Sequence, residues 1–134
     1  MPHPGAILAL DVGSAKIGIA VSDPSRRIAS PVRLYLRQSV VRDAAALAAI
    51  ARERAATAIV VGLPPAGTRP ERLARQVGEA LAAASGLPTH YQDERFTSIE
   101  ARRRLDEAGG PRAAVDEMAA VIILEDWMRA NPEG

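Results

Sequence analysis

The sequence predicts an α/β fold: a mixed five-stranded sheet, its first three strands antiparallel and its later strands parallel, flanked by helices. Three observations carry this. Two short apolar runs, Ile7–Asp11 and Ile17–Val21, are joined by a glycine-containing turn, as in an antiparallel hairpin. From Val40 onward, helix-like and strand-like segments alternate, which implies parallel strands with crossover helices. The chain has 134 residues, 48% of them hydrophobic, enough for one core of ordinary size. It is read as a single domain over 1–134, with 131–134 as a frayed tail.

The elements follow in order. Ile7–Asp11 is an apolar strand ending in a carboxylate, Gly13–Lys16 a turn, and Ile17–Val21 a second strand closed by Ser22-Asp23-Pro24. Ile28–Leu36 is a third strand, where Pro31 requires an edge or a bulge because it has no N–H for a ladder. Val40–Ala56 is helical, with Leu47, Ile50 and Arg54 at helical spacing among alanines. Ala58–Gly62 reads as a buried strand. Thr68 and Glu71 make a capping box for a helix over Arg69–Ser85, and Gly86 stops it. Pro88–Gln92 is a short fifth strand. Thr97 with Glu100 opens a helix to about Ala108, Gly109-Gly110-Pro111 breaks it, and the last helix covers about Ala114–Arg129.

Composition narrows the function. The sequence has no cysteine, which excludes disulfides and thiolate metal sites and points to a reducing compartment. No charged-then-apolar leader pattern or ~20-residue apolar run is present, so a cytoplasmic protein with no membrane partner is expected. Net charge is only +1, so any contact with nucleic acid must come from a local patch. Lys16 is the one lysine among 17 basic residues. His3 and His90 show no zinc-ligand spacing, and no nucleophile triad or Walker-type phosphate loop is visible.

Three carboxylates stand out by position. Asp11 follows four apolar residues, and a charge in a central strand is costly unless paired or bound to metal. The bland reading is a turn Asp bonded to its own backbone. Glu94 sits at a strand-to-helix junction, where open α/β sheets hold ligands; it could equally pair with Arg95 or a helix N-terminus. Asp116 precedes Ala119, Ala120, Ile123, Leu124 and Trp127 on the apolar stripe of its own helix, where it could also be a cap. Together the three suit phosphodiester hydrolysis with two Mg²⁺ or Mn²⁺ ions ~4 Å apart, which needs several hard oxygen ligands.

Four strings resemble one known family: Asp11-Val-Gly-Ser-Ala-Lys-Ile-Gly-Ile-Ala20, Ile59-Val-Val-Gly-Leu-Pro64, Asp93-Glu-Arg-Phe-Thr-Ser98 and Asp116-Glu-Met-Ala-Ala-Val-Ile-Ile-Leu124. They look like the YqgF/RuvX family, described as candidate Holliday junction resolvases and as nucleases of small-subunit ribosomal RNA maturation. The resemblance spans about Ile7 to Trp127 and implies a ribonuclease H-like fold. It also implies that Asp11, Glu94 and Asp116 are the metal-binding, catalytic carboxylates. Lys16 and Arg95 then fall at basic positions suited to phosphate. The sequence departs from the family at Ala15, where a second basic residue is usual, and in short segments after Pro64 and at Gly109–Arg112. Related resolvases carry a further acid at the position of Ala119; Asp93 or Glu117 could help instead.

Arg69 and Arg72 flank a helix N-terminus and are further candidate backbone contacts. Arg102, Arg103 and Arg104 read first as a solvated helix face, and Trp127 as core. Two other functions compete: a catalytically silent nucleic-acid module, and an Asp-x-Gly nucleotide-phosphate binder, for which a second domain and a second loop are missing. The expected partner is nucleic acid, RNA or branched DNA, with RNA slightly ahead. Two symmetric cuts in a four-way junction would call for a homodimer.

Overall fold

The computed structural model describes residues 3–94, 97–108 and 115–132, with the side chains of 97–99, 102, 108 and 116 outside that description. The strands are β1 (Ala6–Val12), β2 (Lys16–Ser22), β3 (Ala29–Leu36), β4 (Ala56–Leu63) and β5 (Thr89–Asp93). The helices are α1 (Val40–Glu53), α2 (Arg69–Ser85), α3 (Thr97–Ala108) and α4 (Val115–Ala130). All five strands form one sheet in the order β3-β2-β1-β4-β5. The β3-β2-β1 half is antiparallel and β1-β4-β5 is parallel, as the sequence predicts. Among the described residues, no helix is long and apolar enough to cross a membrane.

The period of two along each strand sorts its side chains into two cores. Leu8, Leu10 and Val12 of β1, Ile17 and Ile19 of β2, and Ile59 and Val61 of β4 meet α1 and α2 on one face. Ile7 and Ala9, Ala20, and Ala58 and Val60 meet α4 on the other. The second face is built largely of alanine, so α4 comes close to the backbone of the central strands. It contributes Ala120, Ile123, Leu124 and Trp127, all buried, which places Trp127 in the core as expected. Ala119 departs from the expected stripe: it packs with Ala101 and Ile122 between α4 and α3. Helix α4 is therefore buried on two sides, and its apolar pattern is too broad to give a single face.

Local chemistry fixes most boundaries. The Thr68 hydroxyl accepts from the Glu71 N–H (3.3 Å), while the Glu71 carboxylate reaches back to the Gly67 N–H (3.1 Å). Gly86, at φ 70°, ends α2 with its N–H on the Ala82 carbonyl. Pro31 lies on edge strand β3, at the point where the register with β2 slips by one residue, so both expected readings of it hold. Helix α1 ends at Glu53 instead of running to Ala56, which already belongs to β4. Ala55, at φ 54°, makes the left-handed stop that glycine usually supplies, and alanine's helix propensity hides it. Thr97 is the first residue of α3, and the Glu100 carboxylate accepts from Arg103 and Arg104.

The β2–β3 connection is organised by Asp23. Its carboxylate accepts from the Ser25 hydroxyl and from the N–H groups of Arg27 (2.8 Å) and Ile28 (2.8 Å). Those donors, the Ser25 hydroxyl foremost, hold its pKa well below the usual carboxylate range. A depressed folded pKa means that the stabilisation is complete above the unfolded value of about 3.9 and fades as pH falls through the folded value. Asp23→Ala should therefore lower Tm at pH 7, and the gap from the parent should narrow below about pH 4. Thermal melts of both proteins across that range check this.

Candidate active site

Asp11 lies on the α4 face of β1, in line with Ile7 and Ala9 and past the last alanine. Its register partner on β2 is Gly18, and on the β4 side Gly62 lies one residue beyond the Leu10–Val61 pair. The hydrophobic layer under α4 thus gives way to two glycines and a carboxylate at the C-terminal end of the parallel strands. That is where open α/β sheets place ligands. Glu94 follows β5, with its N–H on the Leu63 carbonyl (3.2 Å).

Gly62 is required by close approach. A Cβ there would lie 2.6 Å from Glu94 Oε2 and would also run into the Ile123 side chain. The Glu94 carboxyl is seated over the bare β4 backbone, hydrogen-bonded to Asp11. Its Oε2 is buried without a hydrogen-bond partner. Burial first, then the charge and hydrogen bond of Asp11, push the Glu94 carboxyl up to about 8. Two carboxyl groups that bond each other must share a proton, and an orphaned buried oxygen is costly in neutral surroundings. Both features suit a hard divalent cation, which would replace the proton and take up the bare oxygen. The pair fits the expected metal chemistry by donor type and by electrostatics.

Asp116 is in the first turn of α4, the helix whose Ile123 covers Gly62; its side chain falls outside the described residues. Arg95 also falls outside them. Among the described residues, no group of three or more acids and histidines is gathered tightly enough to hold an ion. Asp93, exposed at the end of β5, adds negative charge beside Glu94.

Lys16 opens β2 at the hairpin tip and is exposed. It lines a cavity of about 200 Å³ together with Asp11, Gly13, Ser14 and Ala15. The turn is closed by the Gly13 N–H on the Lys16 carbonyl (2.9 Å). Arg69 and Arg72 lie exposed at the α2 N-terminus, and Arg72 donates to the Gly67 carbonyl (3.3 Å). A second cavity of about 330 Å³, lined by Leu63, Pro64, Pro65, Ala66 and Asp93, lies at the start of the loop that leads to α2. Arg103 and Arg104 are engaged with Glu100, Glu107 and Glu125, so the basic run on α3 is largely an ion-pair network. Gly62 is a part of the site that sequence alone does not single out, although it stands in the Val-Val-Gly-Leu string.

The sequence and the fold have known counterparts. A family model for RuvX, the Holliday junction resolvases, matches residues 5–130. The chain belongs to the RuvX family. A Mycobacterium tuberculosis protein named as a candidate pre-16S rRNA nuclease is 38% identical over 138 residues, covering 95% of this chain and 80% of its own. One of the same name from Rhodopseudomonas palustris is 41% identical over 133 residues, covering 92% and 81%. Two solved structures share the fold. Thermus thermophilus RuvC, in complex with a Holliday junction substrate, has a TM-score of 0.56 at 16% identity, covering 93% of this chain and 94% of its own. The Fowlpox virus resolvase with Holliday junction DNA has a TM-score of 0.61 at 10% identity, covering 93% and 97%. The α/β architecture is thus that of RuvC-like, ribonuclease H-like resolvases. Membership in RuvX carries the coarse activity, hydrolysis of phosphodiester bonds.

The Glu94 pKa gives a prediction specific to this RuvX member. A carboxyl whose folded pKa is raised binds more protons folded than unfolded between about 4.5 and about 8, so metal-free stability should fall as pH rises through that window. Glu94→Gln should be flatter across it and more stable than the parent at pH 8. Added Mn²⁺ should raise the parent's Tm more at pH 8 than at pH 6, because the ion competes with the shared proton. Melts at the two pH values, with and without metal, check both statements.

Proposed function

We propose that this chain is a divalent-metal-dependent nuclease in which Asp11, Glu94 and Asp116 hold the metal and Lys16 and Arg95 grip the substrate backbone. The observation that supports this best is the Asp11–Glu94 pair: two hydrogen-bonded carboxyls over Gly62, with one oxygen buried and unpartnered. The chemistry supplied by bound Mg²⁺ or Mn²⁺, with two ions as the working assignment, is activation of the attacking water and neutralisation of the leaving oxygen. The residues do the rest. Asp11, fixed in a central strand, sets the position of the site. Glu94, on a loop beside it, closes the site toward α4, and Asp116 joins from the first turn of that helix. Lys16 at the hairpin tip holds a phosphate against Asp11, and Arg69 and Arg72 extend the contact along the backbone. The absence of cysteine suits a cytoplasmic setting.

RNA is the preferred substrate. The relatives at 38–41% identity are named for pre-16S rRNA, whereas the structures with junction DNA are at 10–16%. Trimming an RNA needs one site; paired cuts in a junction need two, brought together in a dimer. Single-stranded RNA, duplex DNA and a four-way junction, each incubated with Mn²⁺ alongside sedimentation of the protein, separate the two. RNA cleavage by a monomer is expected, and a stable dimer that nicks junctions symmetrically while sparing RNA would overturn the preference.

Asp11→Asn and Asp116→Asn should each reduce cleavage by about a hundredfold or more, on the scale of several kcal/mol lost with a metal ligand. Binding of nucleic acid should persist in both, and chelator should abolish parent cleavage. Metal-free Asp11→Asn should melt no lower than the parent, because it relieves repulsion with Glu94. Unfolding of that variant would show Asp11 to be a structural turn residue. Lys16→Ala should weaken binding to all sequences alike and reduce the salt dependence by about one unit.

A further inference from the structure

We propose that Arg37, clamped by Asp43, is a positioning residue for the phosphate grip, acting through the β1–β2 turn that carries Lys16. Arg37 follows β3 directly and holds the turn twice: its backbone N–H donates to the Ala15 carbonyl (2.9 Å) and its Nη1 to the Ser14 carbonyl (3.2 Å). The same guanidinium donates through Nε to Asp43 Oδ2 (2.8 Å). Asp43, in the first turn of α1, is 0% exposed, and its Oδ1 also accepts from the Tyr35 hydroxyl (3.0 Å) and the Gln38 N–H (2.8 Å). One buried carboxylate thus ties the end of β3, the start of α1 and the hairpin tip together.

A buried ion pair is a poor device for stability alone, since apolar residues of the same volume serve as well. What a guanidinium adds is direction, a planar fork that fixes two acceptors relative to each other. Here the acceptors are Asp43 and the Ser14 carbonyl. Ser14 and Ala15 wall the cavity shared with Asp11 and Lys16. Lys16 and Leu36, the residue before Arg37, are register partners across β2 and β3. Arg37 itself is poorly placed to touch substrate: its side chain is only 13% exposed, and its Nε and Nη1 are held by Asp43 and the Ser14 carbonyl. Its effect passes through the turn.

The inference rests on the reading of Lys16 as a phosphate contact, and the test separates the two. The variants are Arg37→Lys, which keeps a partner for Asp43 and the backbone bond to Ala15 but loses the side-chain bond to the Ser14 carbonyl, Lys16→Ala, and the two combined. Each is measured for melting, for binding of fluorescent single-stranded RNA without divalent metal, and for cleavage kinetics with Mn²⁺. Arg37→Lys should weaken RNA binding and raise KM by about three- to tenfold, the range of one hydrogen-bonded contact, with kcat unchanged. In the Lys16→Ala background it should add less than about twofold. The Gly13 amide should exchange faster in Arg37→Lys, which reports order in the turn without any substrate. A folded Arg37→Lys protein with parent-like KM, or with effects that multiply those of Lys16→Ala, overturns the proposal, as does an unchanged Gly13 exchange rate. Should Arg37→Lys fail to fold, the charge-neutral pair Arg37→Ala with Asp43→Asn carries the same expectations. Unchanged RNA affinity in Lys16→Ala would instead overturn the reading of Lys16, and the proposal with it, while the Gly13 exchange would still show whether Arg37 orders the turn.

Discussion

Two carboxyl groups, Asp11 and Glu94, face each other over a strand with no side chain to separate them, and much of the architecture is arranged to hold them there. Burial penalises the charged form and the neighbouring Asp11 charge adds repulsion, so the Glu94 pKa is raised and the pair holds a shared proton. Folding must supply the energy of that approach. It comes from the apolar layers beneath: Ile7, Ala9, Val60 and Ala58 under Ile123, Leu124 and Trp127 on one face, and the larger Leu8, Leu10, Ile59 and Val61 on the other. The small residues of the first face let α4 sit low enough for Ile123 to reach Gly62. A bulkier sheet face would lift α4 and pull Asp116 away with it.

The second constraint is how α4 is oriented. Helix α3 packs along it through Ala101, Ala119 and Ile122, and Arg104 bridges Glu100 on its own helix to Glu125 on α4 (2.7 Å). Exposed ion pairs contribute little to stability, but this one joins two elements, where its geometry acts on their relative rotation. Alanine at position 119 follows from the same packing: the site is buried against α3, where an added carboxylate would meet Ala101 and no solvent. A second acid at that position is thus disfavoured by this α3–α4 contact, whereas Asp93 already adds negative charge beside Glu94.

Much of this was legible in the sequence because the signals are local. Apolar runs of period two, a helix box at Thr68 with Glu71, and Gly86 as a stop mark their elements directly. Asp11 could be singled out because a carboxylate ends an apolar run. The convergence of Asp11 with Glu94 is not a local property. It follows from the parallel order β1-β4-β5, and in the sequence it is suggested by the positions of the acids at element ends and sharpened by resemblance to a family. Asp43 shows the opposite failure. At the start of a helix it reads as an ordinary acidic residue favoured by the helix dipole, and only the return of β3 brings Arg37 and Tyr35 to it. The end of α1 at Glu53 is hidden for a similar reason, since the left-handed backbone at Ala55, just before β4, falls on a residue that prefers helix.

The charge inventory bears on how such a protein grips a polyanion. Net charge is +1 despite 17 basic residues, and many of the arginines are committed to the fold. Arg26 donates to the Gly5 carbonyl (2.9 Å) and to Thr57, Arg37 to Asp43, Arg75 to Glu71 and over the Tyr91 ring, Arg103 and Arg104 to α3 and α4 acids, and Arg129 to Asp126. A guanidinium already held by a carboxylate brings little net field to a phosphate, because the pair is close to neutral at the distance of a substrate. Binding strength from such a surface is modest and depends on a few well-placed cations, and the placement of those cations then matters more than their number. That is the condition under which the proposed fixing of the hairpin tip, a structural detail in a strongly basic protein, would become a functional one.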